Sequence, residues 1–285
     1  MYRYSMTQWI VGNEDIEYSF KRLKNYGYDG IEFAAEPYNL NTKEMLRLME
    51  KYGLVCTSLC GIFSEERDLT SPNPEVAEKA IQYIKDSVDF AVEVGAPLII
   101  VVPSPVGRVA KPEEYSFDEL WNCAVKNIRV AADYAESKKV KLAIEAINRY
   151  ETYFANTLEK AYRLVKEIDH PAVKIMADLF HMSIEERSIP HSLRMVSDEL
   201  IHVHIADNTR EAAGLGSTDF KEVFHQLNDM GYTGSLTMEF MPRVANPYES
   251  GTLETQSSLM DAFAKQAIDY MKCMEISAAD KGGLL

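Results

Sequence analysis

Short apolar runs and longer amphipathic stretches alternate along this chain from end to end. The short runs are aliphatic or β-branched and of strand length. The longer stretches repeat apolar residues every three to four positions, the period of a helix with one buried face. Residues 3–10 predict a first strand, and Ile16, Phe20 and Leu23 mark the face of a first helix. Residues 30–33 predict a second strand with a helix over 42–52, and 54–60 a third with a helix over 75–94. A fourth strand over 98–102 precedes a helix over 117–137, and a fifth covers 141–145. The next helix is expected to begin at Asn156, with Glu159 three residues on in the manner of a capping box. Residues 173–177, 200–205 and 235–239 predict strands six to eight, with helices over 191–196, 220–230 and 259–271.

Glycine stands where helices must stop, at Gly27, Gly53, Gly95 and Gly231. Lacking a Cβ, it takes the left-handed cap conformation without a clash. Two of these stops share a pattern, Gly27-Tyr28-Asp29-Gly30 and Gly231-Tyr232-Thr233-Gly234. Alternating strands and helices imply a parallel sheet covered by helices. Eight such units in 285 residues is the count of a closed (β/α)8 TIM barrel, an α/β fold in one domain over residues 1–275. The rival is a doubly wound open sheet, but no Gly-x-Gly-x-x-Gly follows the first strand. Gly214-Leu215-Gly216 is too short for a phosphate motif. Residues 276–285 are expected to form a flexible tail.

Charge narrows the partners. The chain has 44 acidic and 30 basic side chains, a net charge of −14. That balance disfavours nucleic acid, which needs an excess of Lys and Arg on one face, and a polybasic membrane patch. The longest apolar run, residues 97–103, is strand length and far short of the roughly 20 residues that span a bilayer. The first residues lack a signal peptide's apolar stretch, so the expected location is the cytoplasm. Cys56, Cys60, Cys123 and Cys273 do not form a disulfide framework, the spacing of Cys56 and Cys60 is not that of a zinc knuckle, and buried free thiols are expected.

In such a barrel the chemistry gathers at the C-terminal ends of the strands. Strand five ends in Glu145, strand six is followed by Asp178, strand seven carries His202-Val203-His204, and strand eight ends in Glu239. A carboxylate after an apolar run is partly desolvated, which is costly without a cation or hydrogen bonds. The two histidines point the same way, because side chains alternate along a strand. One of them reaches the mouth and the other packs deeper. Three carboxylates and an imidazole suit Mn2+, Mg2+ or Co2+ better than a thiolate-rich structural zinc site. Asn148, Arg149, Glu151, His181 and Arg210 form a further polar layer around these four.

These residues carry a resemblance. The matching segments are Glu145-Ala146-Ile147-Asn148-Arg149-Tyr150-Glu151, then Asp178-Leu179-Phe180-His181-Met182-Ser183-Ile184-Glu185-Glu186, His202-Val203-His204 with Asn208, Arg210 and Gly216, and Met238-Glu239. With a weaker echo at Asp68-Leu69-Thr70-Ser71-Pro72, the chain resembles the xylose-isomerase-like barrels, and within them the ketose 3-epimerases acting on D-tagatose and D-psicose. The resemblance implies one divalent metal on Glu145, Asp178, His204 and Glu239, with Mn2+ first and Zn2+ among the alternatives. It implies that Glu151, His181 and Arg210 hold one end of a sugar, and that Glu145 and Glu239 exchange the C3 proton through a cis-enediolate. It also implies a small-molecule sugar partner and a homodimer or homotetramer.

The chain departs from that family at strand four. There the family carries an aromatic residue, and this chain reads Pro103-Ser104-Pro105-Val106-Gly107-Arg108. Trp9, Glu36 and Cys60 are the candidate lining residues from the early strands. Arg108 is a candidate reader of an anionic group on the sugar. The same barrel also hosts aldose–ketose isomerases, keto-polyol dehydratases and non-catalytic sugar binders. An abasic-site endonuclease would need a multi-zinc cluster, and this chain has six histidines.

Overall fold

The computed structural model describes residues 1–12, 14–38, 41–241 and 257–279. Its strands are β1 (Arg3–Thr7), β2 (Gly30–Ala34), β3 (Val55–Cys60), β4 (Leu98–Val101), β5 (Lys141–Glu145), β6 (Val173–Asp178), β7 (Leu200–Ile205) and β8 (Ser235–Met238). They pair in chain order, all parallel, and β8 closes the ring onto β1 with Ser5 opposite Thr237. The helices between and after them are α1 (Ile16–Tyr26), α2 (Thr42–Tyr52), α3 (Pro74–Val94), α4 (Phe117–Ser137), α5 (Leu158–Ile168), α6 (Leu179–Glu185), α7 (Ile189–Met195), α8 (Phe220–Asp229) and α9 (Ser257–Ala279). The eight-fold alternation is therefore a (β/α)8 barrel.

The capping chemistry explains where the elements stop. Gly27, Gly53 and Gly95 take φ of 77°, 64° and 73° after α1, α2 and α3, as expected of helix-ending glycines. The expected cap of α5 is displaced by one residue. Thr157 caps the helix by accepting from the Lys160 N–H, while Asn156 donates to the carbonyls of Ile147 and Thr152 and ties down the loop after β5. The complete capping box sits instead on α4, between Ser116 and Glu119. The first strand stops at Thr7, and residues 9–11 turn into a 3-10 helix that carries Trp9 over the mouth. Residues 276–279, expected in a loose tail, continue α9, and Ala278 is buried there; residues 280–285 lie outside the described residues.

Period-two alternation makes two separate cores. Outward residues such as Ile99, Val101, Leu142 and Ile144 pack under the helices. Inward residues Leu98, Ile100, Ala143 and Met176 form a small cluster of their own. The next inward positions are two residues on, where Ala143 gives way to Glu145 and Met176 to Asp178. Across the ring the inward face is polar throughout. Ser5 bonds to both Thr237 (2.6 Å) and Thr57 (2.9 Å), and Glu32, Ser58, His202 and His204 are all buried. The barrel is thus apolar on one side of its axis and hydrogen-bonded on the other.

Candidate active site

All four strand-end residues reach one mouth. Glu145 closes β5, Asp178 closes β6, His204 lies in β7, and Glu239 follows β8 by one residue. None is more than 5% exposed. His204 Nδ1 is 3.3 Å from Glu239 Oε2 and 3.7 Å from Asp178 Oδ2. Asp178, His204 and Glu239 place one ligand atom each within 4.8 Å of one another. Glu145 joins through Asp178 and His181, in a second group of the same size. The two histidines of β7 divide as alternation requires. His204 faces the mouth, while His202 lines a cavity at the opposite end with Arg3, Lys141 and Ser235.

The charges in this cluster are unbalanced. Burial raises the Glu145 carboxyl well above the usual range, and the neighbouring Glu239 and Asp178 carboxylates push it further. Burial likewise pushes Glu239 up to about 7, against the pull of His204. Asp178 goes the other way. Burial opposes its ionisation, but His181 and His204 hold it well below the usual range. Burial also opposes a charge on His204, yet Glu32, Glu239 and Asp178 raise its imidazole well above the usual value. A cation placed among these groups would relieve the repulsion.

The donor set fits a divalent metal. His204 Nδ1 is buried without a hydrogen-bond partner and faces two carboxylates. A buried polar nitrogen left without a partner is costly unless something binds it. Oxygen-rich donors with one imidazole suit a hard or borderline ion. Glu145, Asp178, His204 and Glu239 are the residues that could hold it.

Beside this cluster is a second set, held mainly by Asn148. The Tyr150 N–H donates to Asn148 Oδ1 at 2.9 Å, which fixes the side-chain amide. Its Nδ2 therefore donates both to His181 Nδ1 (2.7 Å) and to Glu151 Oε1 (2.9 Å). With Nδ1 an acceptor, neutral His181 carries its proton on Nε2, which lies 3.9 Å from Glu145 Oε1. Burial lowers the His181 pKa and favours that neutral form. Arg210 Nη1 donates to Glu151 Oε1 at 2.7 Å, and its guanidinium lies over the Phe180 ring. Arg210 has a left-handed backbone, φ 62°, and its N–H bonds to the Asp207 carbonyl. Asp207, unnoticed in the sequence, organises that loop by accepting backbone N–H groups of Asn208, Gly214, Gly216 and Thr218.

Glu145, Glu151, His181, Arg210 and Glu239 line one cavity of about 340 Å³. Its other wall is Trp9, Cys60, Ile62, Phe63, Val102, Val106 and Ile147. Trp9 and Cys60 are lining residues as expected, and the stretch after β4 contributes Val106. Glu36 is instead paired with Arg67 at 2.8 Å. Arg149 turns outward and pairs with Glu185. Arg108 is tied to Glu65 (2.7 Å) and Asp68 (3.4 Å), so its charge is already met by two carboxylates.

Glu32, like Asp207, is a residue that sequence reasoning passed over. It is fully buried in β2, and its Oε2 accepts from His204 Nε2 at 3.0 Å. Burial would raise its pKa, but His204 and His202 hold it well below the usual carboxylate range. The available sign was a charged residue inside the apolar run Gly30-Ile31-Glu32-Phe33.

The chain matches the family model "Xylose isomerase-like TIM barrel" over residues 20–262. It is 27% identical to D-psicose 3-epimerase of Ruminiclostridium cellulolyticum, covering 95% of each chain. It is 30% identical to 3-dehydro-D-guloside 4-epimerase of Escherichia coli, covering 83% of this chain and 91% of that one. Among solved structures, D-psicose 3-epimerase with D-tagatose from Clostridium cellulolyticum superposes with a TM-score of 0.84 at 25% identity, covering 96% and 99% of the two chains.

Proposed function

The chain belongs to the xylose isomerase-like TIM barrel family, and from that premise we propose that it is a divalent-metal-dependent isomerase that epimerises C3 of a 2-ketose. The observation that carries this reading is the pair Glu145 and Glu239. Both carboxyls are almost fully buried, both are raised above their usual range, and both adjoin one imidazole–carboxylate donor set.

Glu145, Asp178, His204 and Glu239 are the proposed metal ligands. The bound metal, Mn2+ in this reading, supplies Lewis acidity that polarises the ketone and makes the neighbouring C–H more acidic. Glu145 and Glu239 stand three strands apart around the mouth, so they approach a bound sugar from different sides. One of the two, as a carboxylate, takes the C3 proton, leaving a cis-enediolate, and the other, as a carboxylic acid, gives its proton to the opposite face, so that the pair ends with the proton exchanged between them. One C–H bond breaks and one forms, with no net change in composition. Arg210 and the Nε2–H of His181 donate to the sugar's oxygens, and Glu151 accepts from a hydroxyl. The apolar wall of Ile62, Phe63, Val102 and Val106 takes the rest of the chain.

With this reading go a cytoplasmic location and a homodimer or homotetramer. The free thiols Cys56 and Cys60 suit a reducing compartment. Tyr150 and Leu215, exposed on loops at the mouth, offer apolar surface for a second copy.

The Escherichia coli relative favours a second reading. Inverting C4 beside a C3 ketone uses the same proton transfer as inverting C3 beside a C2 ketone. Metal-reconstituted protein in D2O, with a panel of 2-ketoses and 3-keto-glycosides followed by NMR, separates the two. Deuterium at C3 together with the C3 epimer supports the proposed function. Label and inversion only at C4 of a keto-glycoside supports the second, and label only at C1 or C2 means an aldose–ketose isomerase. No exchange with any sugar, with metal bound, overturns the epimerase reading.

A further inference from the structure

Glu32 stands outside the donor set but touches it. Its Oε2 accepts from His204 Nε2 at 3.0 Å and from the Ser58 hydroxyl at 2.5 Å. His202 Nε2 lies 3.3 Å from the same oxygen and 3.3 Å from Ser58 Oγ. These partners are two imidazoles and a hydroxyl, with no lysine or arginine among them. A fully buried carboxylate in such company is costly unless a cation sits within reach. His204 is the group through which it can meet one, because its other nitrogen faces Asp178 and Glu239.

The backbone is shaped to bring these groups together. Between β2 and β3 the register shifts at Ile31/Glu32, so that Glu32 falls opposite Ser58 rather than Thr57. A bulge of this kind re-aims a side chain near an active site. The close approach needs Gly30, where a Cβ would meet Thr57 Cγ2 at 2.6 Å and the Val55 carbonyl at 2.8 Å. A second shift, between β6 and β7 at Ile175/Met176, puts His204 opposite Asp178. Two irregularities on separate strand pairs thus converge on one hydrogen bond, Glu32 to His204.

We propose that Glu32 is the positioning residue of the metal site: by accepting the Nε2–H of His204 it holds the imidazole with the Nδ1 lone pair turned toward Asp178 and Glu239. A neutral imidazole carries one proton, and the nitrogen without it is the donor. Fixing the proton on Nε2 selects Nδ1 for the metal, and the carboxylate behind it strengthens that donor. Ser58 and His202 hold Glu32 in place from the other side. The inference rests on the reading of His204 as a metal ligand.

The test is calorimetric titration of Mn2+ into metal-free wild type, Glu32→Gln, Glu32→Ala and His204→Ala, with folding checked by circular dichroism. The same proteins loaded with Co2+ are examined by proton NMR for the shifted, exchange-protected imidazole N–H of His204. We expect Glu32→Ala to bind Mn2+ about 10–100-fold more weakly and its imidazole N–H to exchange faster with solvent. Glu32→Gln keeps an oxygen that accepts this N–H, so it should retain the protected resonance and lose less affinity. If Glu32→Ala does not fold, Glu32→Gln decides, through weakened affinity with the resonance retained. Wild-type affinity and an unchanged N–H resonance in both folded Glu32 variants, with binding lost in His204→Ala, overturn the positioning role alone. No Mn2+ binding by wild type, or undiminished binding by His204→Ala, overturns the metal-site reading and this inference with it.

Discussion

Asp178 and His204 stand in register across β6 and β7, and Asp178 divides its carboxylate between two tasks. Oδ1 accepts the N–H groups of Phe180 and His181 and so starts α6. Oδ2 is turned the other way, 3.7 Å from His204 Nδ1. One residue therefore both begins a helix and turns a carboxylate oxygen toward the proposed metal site.

That division makes Asp178→Asn informative. The Asn side chain keeps an oxygen for the helix cap and puts an amide where Oδ2 faces the site. The cap should survive, with a stability change within about 1 kcal/mol of wild type, while divalent-metal binding is lost. Urea unfolding and metal titration check the two halves. Unimpaired metal binding would count against Asp178 as a ligand.

The carboxylate pair predicts a symmetrical result. Glu145→Gln and Glu239→Gln should each lower turnover by about 10²–10⁴-fold, the usual worth of a proton-transferring group. Both proteins should keep the wild-type circular dichroism spectrum. Near-normal turnover in either would remove that residue from the proton path.

Metal and protons compete here, which gives a pH dependence with a definite sign. The Glu239 carboxyl ionises near 4.5 in an unfolded chain and near 7 in the metal-free fold. Between those values the unfolded chain binds fewer protons, so metal-free stability falls as pH rises. Metal binding needs the ionised carboxylates, so it strengthens over the same interval. The difference in Tm between metal-loaded and EDTA-treated protein should widen as pH rises from about 5 to 7, and go on widening above 7 while Glu145 and His204, held well above their usual range, also give up protons to the metal. A difference that is constant across that range would contradict the assignment.

Arg210 and Glu151 form a partly buried pair at 2.7 Å in the wall of the same cavity as Glu145 and Glu239. Removing the guanidinium in Arg210→Ala leaves Glu151 without that partner and removes the proposed donor to the sugar. A charge-assisted hydrogen bond is worth about 1.5–3 kcal/mol, or about a 10–100-fold loss in kcat/KM. Steady-state kinetics should show much of it in KM. An unchanged KM and kcat would place Arg210 outside the sugar site.

Local period made most of the architecture legible. Alternating two- and 3.6-residue repeats, broken by glycines, gave eight strands and their helices, because those patterns depend on near neighbours alone. Position at strand ends then pointed to Glu145, Asp178, His204 and Glu239. His202 and His204 were separable for the same reason, since residues two apart on a strand share a face but differ in depth.

What the folded chain decided is what distant segments do to one another. Glu32 meets His204 across 172 positions of sequence, through a bulge that no periodicity marks. Arg108 looks like a free cation in its loop, yet Glu65 and Asp68 arrive from another strand's loop to neutralise it. Asn156 looks like a helix cap, yet Thr157 caps the helix, and the Asn156 amide donates instead to the carbonyls of Ile147 and Thr152. Sequence fixes which groups each strand can present, since that depends on backbone alternation. Only closure of the ring sets which of them touch, because hydrogen bonds and ion pairs depend on distances of a few ångströms between segments far apart in the chain.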